Sequence, residues 1–383
     1  MKKVGLVIGQ LGYGGAEKQV VLLALGLRET RRYEPVVFCL SSHVEPNGDY
    51  LNEHLITWYE VPANIENSFQ KAWWLCRQTR VSRISLLYGF LNVGNVYAAI
   101  AGVINRLPFI CSIRNADPSL PWWLRILSGW SCNRANFIVA NSVSCARSLN
   151  DDLKVKHKRV RIIENALDFW GRDDETGEGL RAEWGIPKDS FVIGTVSNLK
   201  IQKNPVYFID IFRAIAKKLP TIPVYFVWVG DGPERPRVES AISDFGAEMK
   251  SRIVFPGARR DIPEVLKSFD LFILTSSYEG LPNALMEAMA AGLPCVATNV
   301  SGTQDLLLEI GPDEEICVLT SPSNPEEFST ALTELITNPL RMRKMGETAR
   351  RYVRHRYSLE KMVLAHSLIF DEVLGFQRNE EPA

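Results

Sequence analysis

The stretch Val4-Gly5-Leu6-Val7-Ile8-Gly9-Gln10-Leu11-Gly12-Tyr13-Gly14-Gly15-Ala16-Glu17 joins a short apolar run to a glycine-rich turn, and Val20, Leu23, Ala24 and Leu27 follow at i, i+3, i+4 and i+7. The first run has the length and composition of a buried strand, and the later spacing lays an apolar stripe along one side of a helix. Strand, glycine turn and amphipathic helix together open a parallel, helix-covered sheet. Further apolar runs at 36–40, 84–88, 109–112, 137–140 and 160–163 alternate with helix-period segments. Residues 171–179 are polar, with Asp173, Asp174, Glu175 and Glu178, and read as an interdomain linker. The alternation restarts at 191–196 and continues through 224–229, 253–255, 271–274, 295–297 and 317–319. This pattern predicts an α/β chain of two Rossmann-like, doubly wound parallel-sheet domains, 1–170 and 171–358. They are expected to face each other across a cleft, because open parallel sheets bind ligands beyond the carboxyl ends of their strands. Segments 326–336 and 340–357 read as closing helices. The last periodic segment, 359–374, reads as a helix crossing back to the first domain before a tail that ends at residue 383.

Composition narrows the function classes. With 46% hydrophobic and 23% charged residues over 383 positions, the chain is that of a soluble globular protein too long for one ordinary domain. Its cysteines, Cys39, Cys76, Cys111, Cys132, Cys145, Cys295 and Cys317, form no CxxC pair and have no neighbouring histidines, so neither a disulfide framework nor a zinc site is expected. A reducing cytoplasm fits this usage. The opening apolar run is too short for a signal-peptide core, and no stretch approaches eighteen apolar residues. Net charge is zero, yet residues 1–165 hold 20 Lys+Arg against 12 Asp+Glu (+8) and the remainder 24 against 32 (−8). The asymmetry is either a chance split of solvated charge or the sign of a half that meets an anionic surface.

Chemistry-bearing residues sit just after strands. In the first glycine turn, Gly14 and Gly15 let backbone approach a phosphate or sugar ahead of a helix amino terminus, unless the turn is merely a turn. Its spacing is not G-x-G-x-x-G, and Leu40-Ser41-Ser42 offers no acid for a ribose, which disfavours a dinucleotide. The second domain opens with Gly194-Thr195-Val196-Ser197-Asn198-Leu199-Lys200-Ile201-Gln202-Lys203-Asn204-Pro205. A lysine at that mouth can neutralise a diphosphate leaving group, or be one of two solvated surface lysines. Gly230-Asp231-Gly232-Pro233 leaves room at another strand end. The most specific segment runs from Thr275 through Glu279-Gly280-Leu281-Pro282-Asn283-Ala284 and Glu287 to Pro294. Pro282 favours a helix beginning near Leu281, with Glu279 at its mouth and Glu287 inside. Counted at helix rise the two carboxylates lie about 12 Å apart, roughly the reach from a hexose to the ribose of a nucleotide sugar. The free N–H groups of 280–284 would face the diphosphate.

Together these motifs resemble glycosyltransferase family 4, enzymes of the GT-B fold, over nearly the whole chain. The family's glutamate, seven residues, glutamate signature falls on Glu279 and Glu287, and the resemblance implies hexose contact for the first and ribose contact for the second. It likewise implies diphosphate contact for Lys203, a glycine loop at Gly14 to Glu17, a strand-end glycine at Gly230, and nucleobase contact along Phe255 to Arg259, Ala258 and Arg259 included. Two positions depart from the family pattern. Asn198 stands where members commonly carry arginine, which gives a weaker diphosphate clamp, and Arg114 follows the strand at 109–112 where many members place histidine near the donor sugar. The resemblance implies a retaining transfer without a metal, in which the nucleotide sugar is a substrate and no cofactor is needed; no Asp-x-Asp run is present to hold an ion. Lys203, Glu279 and Arg114 are the expected catalytic residues.

For the acceptor, Trp122, Trp123, Arg125 and Trp130 cluster in the basic half, followed by Lys154, Lys156, Lys158, Arg159 and Arg161. Tryptophan beside cations suits a bilayer interface. The expectation is peripheral docking on an anionic cytoplasmic leaflet and a lipid-linked saccharide acceptor; the alternative places the tryptophans in the core or the cleft. Nucleic acid is not expected as a partner, since no recognition motif accompanies the basic stretch. A sugar-nucleotide epimerase on the same scaffold and a non-catalytic binding subunit are the competing classes.

Overall fold

The computed structural model describes residues 1–115, 119–156, 159–167, 177–311 and 314–376. Strands β1 (Lys2–Ile8), β2 (Tyr33–Cys39), β3 (Thr57–Glu60), β4 (Leu86–Phe90), β5 (Phe109–Ile113), β6 (Phe137–Ala140) and β7 (Val160–Ile162) form one parallel sheet in the order β3-β2-β1-β4-β5-β6-β7. Strands β8 (Phe191–Val196), β9 (Val224–Val229), β10 (Ile253–Gly257), β11 (Leu271–Leu274), β12 (Cys295–Thr298) and β13 (Val318–Thr320) form a second, in the order β10-β9-β8-β11-β12-β13. In each sheet the strand order reverses beside the first strand, between β1 and β4 and between β8 and β11. Loops leave in opposite directions there and open a crevice at the carboxyl ends.

The chain divides into two compact units, Met1–Asp168 with Tyr357–Ala383, and Phe169–Arg356. Two-residue periodicity sorts the first sheet: Val4, Leu6 and Ile8 pack on one face with Leu23 and Leu27, whereas Val7 packs on the other with Leu87 and Ala98. The second unit centres on Phe208, Phe212, Phe226 and Trp228, whose rings meet edge to face. All seven cysteines are free and buried. Among the described residues no helix is long and apolar enough to cross a membrane.

Two features differ from the sequence reading. Strand β3 extends the first sheet by an edge that the alternation missed, because Thr57-Trp58-Tyr59-Glu60 lies largely exposed and has no apolar run to signal it. The expected linker at 171–179 falls outside the described residues as far as 176, and its end is not linker: Glu178–Glu183 is a helix of the second unit. Arg181 fixes that helix by donating to the Ser268 carbonyl at 2.8 Å and pairing with Asp270 at 2.9 Å.

The helix Leu359–Leu374 packs on the first unit, with Met362, Val363, Ile369 and Phe370 in the same core as Leu23 and Tyr88. Tyr33 donates to the Ser367 carbonyl and pairs with Asp371, which also holds Arg32 at 2.9 Å. His366 is fully buried. Its Nδ1 faces the Met362 carbonyl at 2.8 Å, which can only accept, so Nδ1 carries the proton and Nε2 accepts from the Tyr88 hydroxyl at 3.1 Å. Burial, and then the nearby Arg114 cation, push the imidazole down to about 3. The unfolded chain therefore binds this proton below about pH 6.5 while the folded chain does not, so stability is full above that pH and falls as pH drops toward 3. Relative to His366→Gln, the wild type should lose about 1 kcal/mol of unfolding free energy per pH unit between pH 6 and 5. Urea titrations of both proteins at those pH values check this; a constant gap would show that the imidazole is charged in the folded chain.

Candidate functional site

Lys203 and Glu279 leave neighbouring strands of the second sheet. After β8 the chain turns through a short 3-10 helix, Ile201–Lys203, and Asn204 takes a left-handed conformation (φ 51°) before Pro205 starts the helix Pro205–Lys218. After β11 the segment 275–282 precedes the helix Asn283–Ala291. The two are tied together by side chain and backbone: Thr275 Oγ1 donates to the Lys203 carbonyl, the Ser277 amide to the Gln202 carbonyl, and Gln202 Nε2 to the Tyr278 carbonyl, each at 2.8 Å. This anchoring brings Lys203 Nζ to 2.5 Å from Glu279 Oε1, and Ser276 Oγ donates to the same oxygen at 2.6 Å. Glu279 is 6% exposed and Ser276 fully buried. Lys200, equally plausible from sequence, is exposed instead.

Gly280, Leu281 and Pro282 are buried and lead into the helix, whose N-cap is Pro282 rather than a residue at or before Leu281. Glu279 thus stands outside the helix, and the 12 Å spacing counted at helix rise does not apply to an interval that is half loop. Asn283, Ala284 and Glu287 are half-buried. The loop's back is closed by Thr298, which donates to the Ser276 carbonyl at 2.6 Å.

Asn198 and Gly230 meet at the ends of β8 and β9. Gly230 has φ +141°, and a methyl group there would lie 2.0 Å from the Ser197 carbonyl oxygen. The room that glycine leaves is therefore filled by the neighbouring loop, not held open for a ligand as the sequence reading had it. The Gly230 amide donates to the Gly257 carbonyl at 2.8 Å, which brings the end of β10 alongside. Ala258 is exposed, but the Arg259 side chain is committed: Nε and Nη2 fork onto Asp261 at 2.8 and 2.7 Å, and Nη1 reaches Glu183 at 2.6 Å. That fork holds the Asp261 carboxyl below its usual range. Only backbone at 258–259 is left to meet a base.

In the first unit, Gly14 is the N-cap of the helix Gly15–Glu29. Glu17 folds back over it, 6% exposed, accepting from Gln10 Nε2 at 3.1 Å, and a methyl on Gly14 would lie 2.2 Å from its Oε2. A carboxylate at that helix end opposes a second anion there, so this turn is no ready phosphate site. Arg114 follows β5 and is 6% exposed, stacked 4.7 Å over Phe90. Nε donates to Ser112 at 2.9 Å and Nη1 to Asn165 at 2.8 Å, while Nη2 has no partner. Ser276, Thr275 and Gln202 escaped the sequence reading, although Ser276 and Glu279 stand three residues apart, a spacing open to a side-chain bond across a turn.

Among the described residues no group of three or more His, Cys, Asp or Glu side chains is gathered as metal ligands. A Gly230→Ala change should cost about 1–3 kcal/mol of stability, since the methyl must displace Ser197 and accept a strained backbone. Chemical denaturation checks this, and an unchanged midpoint would mean that the two loops part freely.

Comparison with known proteins places this geometry. The profile of Glycosyltransferase Family 4 matches residues 13–169 and that of Glycosyl transferases group 1 matches 190–338, between them most of the chain. The chain is 29% identical to UDP-Gal:alpha-D-GlcNAc-diphosphoundecaprenol alpha-1,3-galactosyltransferase of Escherichia coli, over 56% of its own length and 57% of that protein's. It is 26% identical to N-acetyl-alpha-D-glucosaminyl L-malate synthase of Bacillus anthracis, over 70% and 67%. Anabaena HepE, solved in complex with UDP and glucose, superposes with a TM-score of 0.84 over 97% of this chain and 99% of that one at 22% identity, a likeness of fold. Two parallel sheets of seven and six strands in this arrangement are the GT-B architecture, and the chain belongs to the family 4 glycosyltransferases.

Proposed function

We propose that the chain is a retaining glycosyltransferase that moves a hexose or N-acetylhexosamine from a UDP-sugar to a lipid-linked or polysaccharide acceptor in cell-surface glycan synthesis. The observation that carries the reading is the buried Lys203, Ser276 and Glu279 cluster at the switch point of the second sheet, next to the helix that bears Glu287. Lys203 and the backbone N–H groups of Gly280, Leu281, Asn283 and Ala284 take the diphosphate, Glu279 the sugar hydroxyls and Glu287 the ribose. Asn198 stands on the diphosphate side, and the backbone of Ala258 and Arg259, which Gly230 brings alongside through Gly257, lines the nucleoside side. The acceptor hydroxyl oxygen forms the new bond to the anomeric carbon on the face from which the diphosphate oxygen departs, and the hydroxyl proton passes to a phosphate oxygen. Negative charge grows on the diphosphate, and Lys203 meets it in place of a metal ion. The nucleotide sugar is consumed as substrate, and the chemistry assigns no cofactor.

A lipid-linked acceptor would bring the enzyme to the cytoplasmic face of a membrane, and one surface of the first unit suits that contact. The helix Trp122–Arg134 turns Trp122 (74% exposed), Trp123, Ile126 (62%) and Leu127 outward, while Trp130 packs inward under Arg134. Of the three tryptophans Trp130 alone packs against the core. The basic segment adjoins that helix, since the Lys156 amide donates to Asn133 at 3.0 Å, and Lys154, Lys156, Arg159 and Arg161 are exposed. His157 and Lys158 lie outside the described residues.

A panel of nucleotide sugars, assayed for nucleotide release with and without membrane lipid extract, tests the reaction: release that needs the extract supports transfer, and no release from any donor refutes it. Lys203→Ala should lower kcat by about 10²–10³-fold, and undiminished turnover would remove Lys203 from the mechanism. In vesicle flotation the chain should rise with anionic but not neutral liposomes, and Trp122→Ser with Trp123→Ser should abolish this; equal recovery with both, neither floating, refutes docking.

A further inference from the structure

The Lys203–Glu279 pair sets two assigned tasks against each other. The ammonium expected to hold a diphosphate is bound, at 2.5 Å, to the carboxylate expected to hold the sugar. Resting on the function proposed above, we propose that this ion pair competes with the diphosphate, so that a nucleotide sugar opens it and loss of the sugar lets it close again and expel the nucleoside diphosphate.

The physical case starts from burial. The Glu279 side chain is 7% exposed and its Oε1 accepts from both Lys203 and Ser276. Stripping a buried carboxylate of its cation is costly unless other donors replace it. A nucleotide sugar brings both replacements at once, with phosphate oxygens for Lys203 and hydroxyl donors for Glu279. A bare nucleoside diphosphate brings only the first, and leaves a buried carboxylate without its cation. The exchange needs no backbone movement. Lys203 is pinned through its own carbonyl by Thr275 and its turn through Gln202 by Ser277 and Tyr278, so that only the flexible four-carbon arm, whose side chain is 22% exposed, has to swing. Ser276 stays hydrogen-bonded to Glu279 and keeps the carboxylate aimed while the lysine is away. Donor preference over product is thus written into one ion pair.

Calorimetric titration of the full chain with UDP, and with the tightest binder among UDP-glucose, UDP-galactose and UDP-N-acetylglucosamine, tests this. Glu279→Gln keeps the shape and removes the charge, so it should bind UDP about tenfold more tightly than wild type while the sugar nucleotide gains nothing. In a Lys203→Ala background the same Glu279→Gln change should alter UDP affinity by less than about twofold, because there is no lysine left to release. Unchanged or weaker UDP binding by Glu279→Gln overturns the proposal, and shows that Glu279 merely positions Lys203. Equal tightening in the Lys203→Ala background also overturns it, and leaves plain charge repulsion as the cause. Should Glu279→Gln fail to fold, Glu279→Asp, whose shorter arm withdraws from Nζ, carries the same expectation at a smaller factor. Wild type that binds neither UDP nor any of the three sugar nucleotides refutes the UDP-sugar donor proposed above, and this proposal falls with it.

Discussion

Three hydrogen bonds between the turn Ile201–Lys203 and residues 275–278 turn two loops from different strands into a single piece. Each contributes only about 0.5–1.5 kcal/mol net, yet without them a cation and a carboxylate 76 residues apart would have no fixed separation. The parallel order of the second sheet makes the arrangement possible, since β8 and β11 are adjacent and both point their carboxyl ends the same way. Sheet topology supplies nearness, and the loop bonds supply angstroms.

The fold was legible because strands announce themselves as short apolar runs, and twelve of the thirteen strands among the described residues do so, the mostly exposed Val160–Ile162 included. Thr57–Glu60 did not, because its four residues hold no aliphatic run. The site was legible at the level of residue type. Lys203 and Glu279 stand out because they follow strand ends ahead of helices, and Glu287 because small and apolar residues flank it. Partnership was hidden. Nothing in the sequence says that Arg259 spends its guanidinium on Asp261 and Glu183, that Glu17 folds back over the helix end beside Gly14, or that Lys203 meets the carboxylate of Glu279, because each outcome depends on how the loops fold.

Glycine illustrates the limit. Gly230 signals close approach from sequence, but not by whom. The structure shows that the visitor is the Ser197 carbonyl, so the residue serves the packing of two strand ends and only through them the surface offered to a nucleoside. The same ambiguity attended the tryptophans of the helix Trp122–Arg134: Trp123 and Trp130 stand seven residues apart on one stripe of the helix, yet Trp130 packs against the core while Trp122 and Trp123 are exposed.

The first unit takes its final helix, Leu359–Leu374, from the far end of the chain, whereas the second unit is one continuous stretch. As the polypeptide leaves the ribosome, the sheet made first must wait, with the apolar surface around Leu23 and Tyr88 uncovered, until Val363 and Phe370 emerge. The usual amino-to-carboxyl order of domain completion is inverted here: the later-made half can close before the earlier-made one. Chaperone demand during biosynthesis should accordingly fall on the amino-terminal half.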